Sequence, residues 1–217
     1  MKPTTKLFGI LYRLLGPLVR ILFPADIEGL ENVPPSGVLF CPNHIHNLDP
    51  LVIAAALPVN ARLHFMGKAE LFNICKPLTW FFHQMGGFPV NRGGNDIQAV
   101  KTAIQVLKDG DNLMIFPEGT VIRDGIGHVD GLPAHAKAGV AMIGVRTGAT
   151  MIPVFVSGEK KFLRRCRVVF GKPYVPVYSG RKGTAEEMQK IADDILREAY
   201  ALGGLAVGGK PLCQEET

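Results

Sequence analysis

The 217-residue sequence lacks the signatures of several large classes of protein. It has no run of 18 uncharged apolar residues, which argues against a conventional membrane-spanning helix. Its four cysteines form no CxxC pair, so a zinc ribbon, a redox dithiol or a disulfide scaffold is not expected, and a reducing compartment is favoured. Beyond residue 23, only 20 of the 24 basic residues remain beside all 19 acidic ones, a balance that is not typical of a nucleic-acid-binding surface.

The sequence also lacks the usual signatures of covalent or nucleotide-dependent catalysis. It contains no GxSxG nucleophile elbow, no P-loop and no GxGxxG, and none of the cysteines has an adjacent histidine. A chain with a candidate base but without such a nucleophile is expected to catalyse a direct reaction. A substrate hydroxyl would attack the other substrate in one transfer step, without a covalent enzyme intermediate.

What the sequence does have is an alternation of apolar strand and helix patterns, with 47% hydrophobic residues. This alternation predicts an α/β domain with a mostly parallel or mixed central sheet flanked by helices. Strands are predicted at 38–41, 63–66, 113–116, 151–156 and 167–170, and helices at 50–57, from 96 to near 110, at 136–147 and from 184 onward. In such sheets, functional side chains lie in loops beyond the carboxyl ends of the strands.

The N-terminal segment is apolar and basic. Residues 1–23 carry four basic residues and no acidic one, and Lys6, Arg13 and Arg20 are spaced by seven so that they share one stripe of a helix. We therefore expect residues 1–24 to form an interfacial amphipathic helix that associates with an anionic membrane surface, at the cytoplasmic face and peripheral or monotopic. A helix docked on the protein's own surface is the alternative. The main domain is expected at 25–202, followed by a flexible tail at 203–217.

The first polar motif, which follows the strand at 38–41, contains His44 and Asp49. If the loop bends before a helix that begins at Pro50, Asp49 can reach back to His44, and a histidine paired with a carboxylate is suited to act as a general base. Alternatively, Asp49 only caps this helix and His44 is an ordinary loop residue; one carboxylate can also serve both purposes.

Two further motifs offer polar side chains. Glu118 follows the most apolar strand, so it is either a salt-bridge partner or an acceptor for a substrate hydroxyl. Arg92 could bind phosphate in a bidentate manner or lie on the surface. A basic cluster at 160–167 could contact anionic headgroups, donor phosphates or an acidic carrier protein, or it is a solvated loop.

A metal-dependent hydrolase that uses His44 and His46 is the main rival interpretation, because an HxH pair can begin a ligand set. The HxHxDH pattern of such enzymes requires aspartate two residues after His46, where Leu48 stands instead.

Taken together, the motifs resemble those of the glycerolipid acyltransferase family, PlsC type. The matching blocks are Asn43-His44-x4-Asp49, the segment 86–92 that ends in Arg92, Phe116-Pro117-Glu118-Gly119-Thr120 and Ile152-Pro153-Val154. The resemblance covers residues 25–180. It implies a glycerolipid acyltransferase fold, an acyl-CoA or acyl-carrier-protein donor, a lysophosphatidate acceptor that becomes phosphatidate, and no cofactor and no metal.

The resemblance also implies residue roles. His44 would deprotonate the acceptor hydroxyl and Asp49 would orient His44. Arg92 would hold the phosphate of the acceptor, and Glu118, Gly119 and Thr120 would line the glycerol site. Another lysophospholipid, or a different hydroxyl or amine acceptor, is the alternative within the family.

The sequence departs from the family pattern at two positions. Val121 stands where the third block usually continues with arginine, and Asn91 replaces an aspartate that is common before Arg92. Arg123 matches a second basic position that is common in the family pattern. Lys68 and Lys137 stand where members often carry lysine, and either could supply the missing positive charge or be a solvated surface lysine.

Overall fold

The computed structural model describes residues 5–91, 96–122, 128–129, 132–133, 135–157 and 160–207. Within them a seven-stranded mixed sheet forms the centre of the molecule, and a two-stranded ribbon lies apart from it. The strands are β1 (Ala25–Glu28), β2 (Val38–Pro42), β3 (Leu63–Lys68), β4 (Gly87–Val90), β5 (Asn112–Met114), β6 (His128–Val129), β7 (Leu132–Pro133), β8 (Thr150–Val156) and β9 (Cys166–Phe170).

The central sheet has the strand order β1-β9-β8-β2-β5-β3-β4. All neighbours are parallel except β8 and β9, which pair antiparallel. The carboxyl ends of β8, β2, β5, β3 and β4 therefore lie along one edge, and this edge carries the segments that follow β2 and β5 and contain His44, Asp49 and Glu118.

Six helices cover the two faces of the sheet. They are α1 (Thr5–Leu22), α2 (Asp49–Ala56), α3 (Lys76–Gln84), α4 (Ile97–Lys108), α5 (Gly139–Thr147) and α6 (Ala185–Ala201). Buried side chains of α4, α5 and α6 form one core with the sheet, and those of α2 form a second core on the opposite face. The expected α/β architecture with a mixed sheet between helices is thus confirmed.

Local sequence signals account for several helix ends. Asp96 caps α4 by accepting a 2.9 Å hydrogen bond from the Ala99 N–H, and Thr184 with Glu187 forms the capping box of α6. The five predicted strands are all present, although β5 ends at Met114 rather than Phe116. Strands β1 and β4 and helix α3 were not predicted from the sequence.

Helix α1 packs against the protein itself, as the alternative interpretation of the N-terminal segment expected. Tyr12 and Val19 are buried, and the Tyr12 hydroxyl donates to the Leu57 carbonyl over 3.2 Å. Arg20 donates from Nε to the Ala55 carbonyl over 2.6 Å and from its guanidinium to the Leu57 carbonyl over 3.2 Å. Arg20 therefore satisfies carbonyls at the C-terminal end of α2, and Arg13, seven residues earlier, is exposed.

The opposite side of α1 is apolar and exposed. Leu14 and Ile21 are 68% and 65% exposed, and Ile10 and Leu18 lie on the same side. We call these four residues the outer face of α1. Among the described residues no helix is long and apolar enough to cross a membrane.

The first part of the predicted flexible tail is ordered against α6. Residues 203–207, predicted to be flexible, turn back on α6, where Leu205 and Val207 pack against the core and the Leu205 N–H donates to the Tyr200 carbonyl over 3.1 Å. Residues 208–217 lie outside the described residues.

Candidate active site

The loop that carries His44 is anchored to the neighbouring strand by Asn43. The Asn43 side chain accepts from the Val156 N–H over 2.7 Å and donates to the Val156 carbonyl over 3.1 Å. Asn43 is buried, and its amide thus continues the hydrogen-bonding pattern between β2 and β8 by one further residue. This anchor fixes the point at which the chain leaves the sheet.

His44 and Asp49 form a hydrogen-bonded pair at this edge. His44 Nδ1 lies 3.1 Å from Asp49 Oδ2, and the same oxygen accepts from the Ile45 and His46 N–H groups over 2.8 and 2.7 Å. Because an ionised carboxylate only accepts hydrogen bonds, Nδ1 carries the proton and the lone pair of the neutral ring is on Nε2. The expectation that Asp49 caps α2 is wrong, because its carboxylate binds N–H groups of the preceding loop rather than those of the helix.

The surroundings of the pair restrict both side chains. The His44 ring stacks on the Phe116 ring, with centroids 3.9 Å apart and an angle of 27° between the planes. The side chains of His44 and Asp49 are 10% and 0% exposed. Burial by itself would raise the pKa of Asp49, but the hydrogen bond from His44 and the nearby charge of Lys160 together lower it. The carboxylate is thus ionised, as an orienting group must be.

Glu118 forms a hydrogen bond to the backbone of the same loop. Its Oε2 accepts from the backbone N–H of His44 over 2.6 Å, and its Oε1 accepts from the Tyr200 hydroxyl over 2.5 Å. The side chain is buried, and burial raises its pKa to about 7, although both hydrogen bonds act in the opposite direction. The geometry therefore favours a role in positioning His44, and among the described residues Glu118 forms hydrogen bonds rather than a salt bridge.

Lys160 is a further buried residue of this site, and the sequence motifs do not reveal its position. Its Nζ lies 2.8 Å from Asp49 Oδ1, both side chains are 0% exposed, and Nζ also donates to the Ser157 carbonyl over 2.9 Å. Asp49 thus has different partners on its two oxygens. Two other members of the basic cluster, Arg165 and Arg167, pair with acidic residues of β1, so this cluster presents less positive charge than its sequence suggests.

The turn after β5 brings Gly119 and Lys137 together. Gly119 has φ +69°, a conformation that favours glycine, and a Cβ at this position would lie 3.4 Å from Lys137 Cγ. The Lys137 N–H donates to the Pro117 carbonyl over 2.7 Å, and the side chain is exposed. Lys137 therefore borders the Glu118 turn, as its assignment to the substrate site requires. Thr120 is half-buried in the same turn.

The remaining candidate residues lie further along the edge or outside the described part of the chain. Lys68 is exposed at the end of β3, which is separated from β2 by β5. Arg92 and Arg123, both predicted to bind substrate, lie outside the described residues. The His46 ring accepts a hydrogen bond from the Leu48 N–H over 3.2 Å, and among the described residues no three His, Cys, Asp or Glu side chains are grouped as metal ligands.

Several known proteins have similar sequences. The sequence model of the acyltransferase family matches residues 25–157. The chain is 28% identical over 145 residues to the chloroplastic 1-acyl-sn-glycerol-3-phosphate acyltransferase LPAT1 of Arabidopsis thaliana, covering 65% of this chain and 38% of that protein. It is 27% identical over 204 residues to the 1-acyl-sn-glycerol-3-phosphate acyltransferase of Streptococcus pneumoniae, covering 91% of this chain and 72% of that protein. The chain thus spans less than two fifths of its plant relatives.

A solved structure has the same fold. The crystal structure of the 1-acyl-sn-glycerophosphate acyltransferase PlsC from Thermotoga maritima superposes with a TM-score of 0.58 at 24% identity, covering 89% of this chain and 80% of that chain. At this identity the likeness establishes the fold.

Proposed function

The chain belongs to the acyltransferase family, and on this premise we propose that it transfers a fatty acyl group from a thioester donor to the free hydroxyl of lysophosphatidate, giving phosphatidate. The observation that carries the proposal is the pair of His44 and Asp49, which lies at the carboxyl edge of the sheet within the family match. The proposed donor is acyl-CoA or acyl-carrier protein.

In the proposed mechanism His44 is the general base. Nε2 takes the proton of the acceptor hydroxyl as its oxygen attacks the thioester carbonyl, and Asp49 stabilises the imidazolium that forms through Nδ1. When the carbon–sulfur bond breaks, the thiolate receives this proton, and His44 returns to its neutral state. The acyl group passes directly between substrates, so no acyl–protein adduct is expected.

Basic residues along the edge are proposed to bind the acceptor phosphate. Arg92 is the first of these, because its guanidinium can form two parallel hydrogen bonds with phosphate oxygens. Lys68, Lys137 and Arg123 are proposed to add positive charge where Val121 leaves the usual arginine missing. Gly119 and Thr120 are proposed to line the glycerol part, whereas Glu118 contributes by holding the His44 backbone.

The proposed acceptor lies in a membrane, and the outer face of α1 is proposed to bring the enzyme to it. This face presents Ile10, Leu14, Leu18 and Ile21 to the exterior, with Arg13 exposed beside them. Exposed apolar side chains next to a basic residue are typical of helices that lie in the headgroup region of anionic membranes. The proposed location is the cytoplasmic face of the membrane, with the enzyme peripheral or monotopic.

The direct test is an acceptor panel with the purified chain and radiolabelled donor, either palmitoyl-CoA or palmitoyl-carrier protein. We expect labelled phosphatidate from lysophosphatidate, and we expect much less product from glycerol 3-phosphate and from lysophosphatidylcholine. Equally efficient transfer to another acceptor would contradict specificity for lysophosphatidate. Release of free fatty acid alone would contradict transferase activity, and a stable acyl–protein adduct in mass spectrometry would contradict direct transfer.

A further inference from the structure

The mechanism above leaves one buried charge without a function, the ammonium of Lys160. This residue precedes a segment, 161–165, whose side chains are all exposed, yet its own side chain is 0% exposed. Lysines in such segments usually keep the ammonium group in water and cover apolar surface with the stem. Enclosing the ammonium is costly unless an opposite charge accompanies it, and here the opposite charge is Asp49 Oδ1 at 2.8 Å.

We propose that Lys160 is a positioning residue of the active site, which acts through Asp49 by keeping its carboxylate ionised and its two oxygens assigned to different partners. Lys160 engages Oδ1, and this leaves Oδ2 for His44 Nδ1 and for the N–H groups of Ile45 and His46. The inference rests on the proposed roles of His44 and Asp49 in acyl transfer.

Electrostatics explains why the dyad needs this partner. Asp49 is enclosed, and an enclosed carboxyl group without a nearby cation becomes protonated at higher pH. A protonated Asp49 can donate a hydrogen bond instead of accepting one, so it would no longer fix the proton on Nδ1 of His44. Lys160 opposes this change from a distance at which a single opposite charge lowers a carboxyl pKa by about one to three units.

Among the described residues, Glu118 and Cys166 are ionisable neighbours of the dyad. Glu118 contacts the His44 N–H and is itself contacted by the Tyr200 hydroxyl, and its pKa of about 7 places its titration near neutrality. The Cys166 thiol lies close enough to Lys160 and Asp49 to interact with both, and its burial raises its pKa, which keeps it neutral. Both groups are common to the native protein and to a Lys160 variant, so a comparison of the two isolates the effect of the ammonium.

The test is the pH dependence of kcat/KM for the native chain, for Lys160→Met and for Lys161→Met, the matched change at the exposed neighbour. In Lys160→Met we expect the acid limb to move to higher pH by about one unit or more, so that kcat/KM falls about tenfold or more on this limb and approaches the native value at high pH. We expect Lys161→Met to keep the native profile. A Lys160→Met profile that is merely lowered by the same factor at every pH would overturn the proposal.

A second comparison does not depend on the folding of Lys160→Met, because it uses a double variant that lacks the charges of both Lys160 and Asp49. If Lys160 acts only through Asp49, then Asp49→Asn and the double variant Asp49→Asn/Lys160→Met should have kcat/KM values within about twofold of each other. A further tenfold loss in the double variant would show that Lys160 acts elsewhere and would overturn the proposal. A native chain that transfers no acyl group would overturn the proposed function, whereas an active native chain whose acid limb does not move in Lys160→Met overturns only this inference.

Discussion

Glu118 binds His44 through the backbone rather than through the ring. The 2.6 Å hydrogen bond from the His44 N–H to Glu118 Oε2 joins the loop after β2 to the turn after β5, and the Ile122 N–H returns to the His44 carbonyl over 2.7 Å. The backbone N–H of His44 is thus bonded to the third sequence motif, and its carbonyl is bonded to a residue just beyond that motif. This arrangement fixes the direction of the imidazole and leaves its side-chain nitrogens for Asp49 and for chemistry.

Replacement of His44 tests the proposed base. We expect His44→Ala to lower kcat by about 10²–10⁴, because the acceptor hydroxyl would lose its proton acceptor while Asn43 and Glu118 still hold the loop. Thiol release from the acyl donor measures the rate, and circular dichroism verifies the fold. His46→Ala is the matched control from the same loop, and we expect a change of less than about fivefold. Equal losses in the two variants would contradict a specific role for His44.

The raised pKa of Glu118 predicts how stability depends on pH. Burial raises this pKa from an ordinary value of 4.5 to about 7, so between these values the folded protein holds a proton that the unfolded chain has released. The free energy of unfolding should therefore fall as pH rises through this window, by about 3 kcal/mol in total. Glu118→Gln should remove this part of the dependence, as measured by urea unfolding from pH 4 to 8.

The control for this experiment is Glu186→Gln, the same chemical change at an exposed position in the first turn of α6. It should keep the native pH dependence. If Glu118→Gln and the native chain have the same slope between pH 5 and 7, Glu118 is ionised throughout this range and the expectation is wrong.

Removal of the Tyr200 hydroxyl tests the other bond to Glu118. Tyr200→Phe keeps the buried ring but leaves Glu118 Oε1 without its 2.5 Å donor, so we expect a loss of about 1–3 kcal/mol in the free energy of unfolding. At pH 8, where native Glu118 is ionised, the same change should cost less in a Glu118→Gln background, because no charged acceptor is left there. Tyr178→Phe, at a more exposed tyrosine, should be nearly neutral. Equal costs of Tyr200→Phe in both backgrounds would contradict the coupling.

The outer face of α1 can be tested without disturbing its inner contacts. The triple variant Leu14→Ser/Leu18→Ser/Ile21→Ser should bind vesicles that contain anionic lipid at least about tenfold more weakly, because a buried apolar side chain contributes about 1.5–3 kcal/mol. Flotation of the vesicles measures the binding. Val175→Ser/Val177→Ser removes two exposed apolar side chains elsewhere and should leave binding unchanged. Equal flotation of both variants would contradict a role for α1.

Much of this architecture could be predicted from the sequence because the signals are local. The apolar runs of β2, β3 and β8 and the caps at Asp96 and Thr184 need no information from elsewhere in the chain. The pairing of His44 with Asp49 could be predicted for the same reason, since they are only five positions apart and the loop between them is short.

The contacts that could not be predicted join residues far apart in the sequence. Lys160 contacts Asp49, and Tyr200 contacts Glu118, because the fold brings distant segments together. Strand β8 pairs with β2, and helix α6 packs against both strands. Nothing in the composition around Lys160 distinguishes it from its exposed neighbours. The contact of Arg20 could not be predicted for the same reason, because its acceptor, the Ala55 carbonyl, lies on another helix and the seven-residue spacing does not reveal it.

The clamp of Arg20 on α2 has a practical consequence. Helix α2 begins at Asp49 and ends beside the carbonyls to which Arg20 and Tyr12 donate. The N-terminal segment therefore supports the far end of the helix whose first residue is hydrogen-bonded to His44, the proposed base. Deletion of residues 1–23 would remove these hydrogen bonds and expose Leu57 to solvent. A shortened version that turns over slowly would then reflect a loosened scaffold as much as lost contact with lipid, and point changes on the outward side are the cleaner way to separate the two.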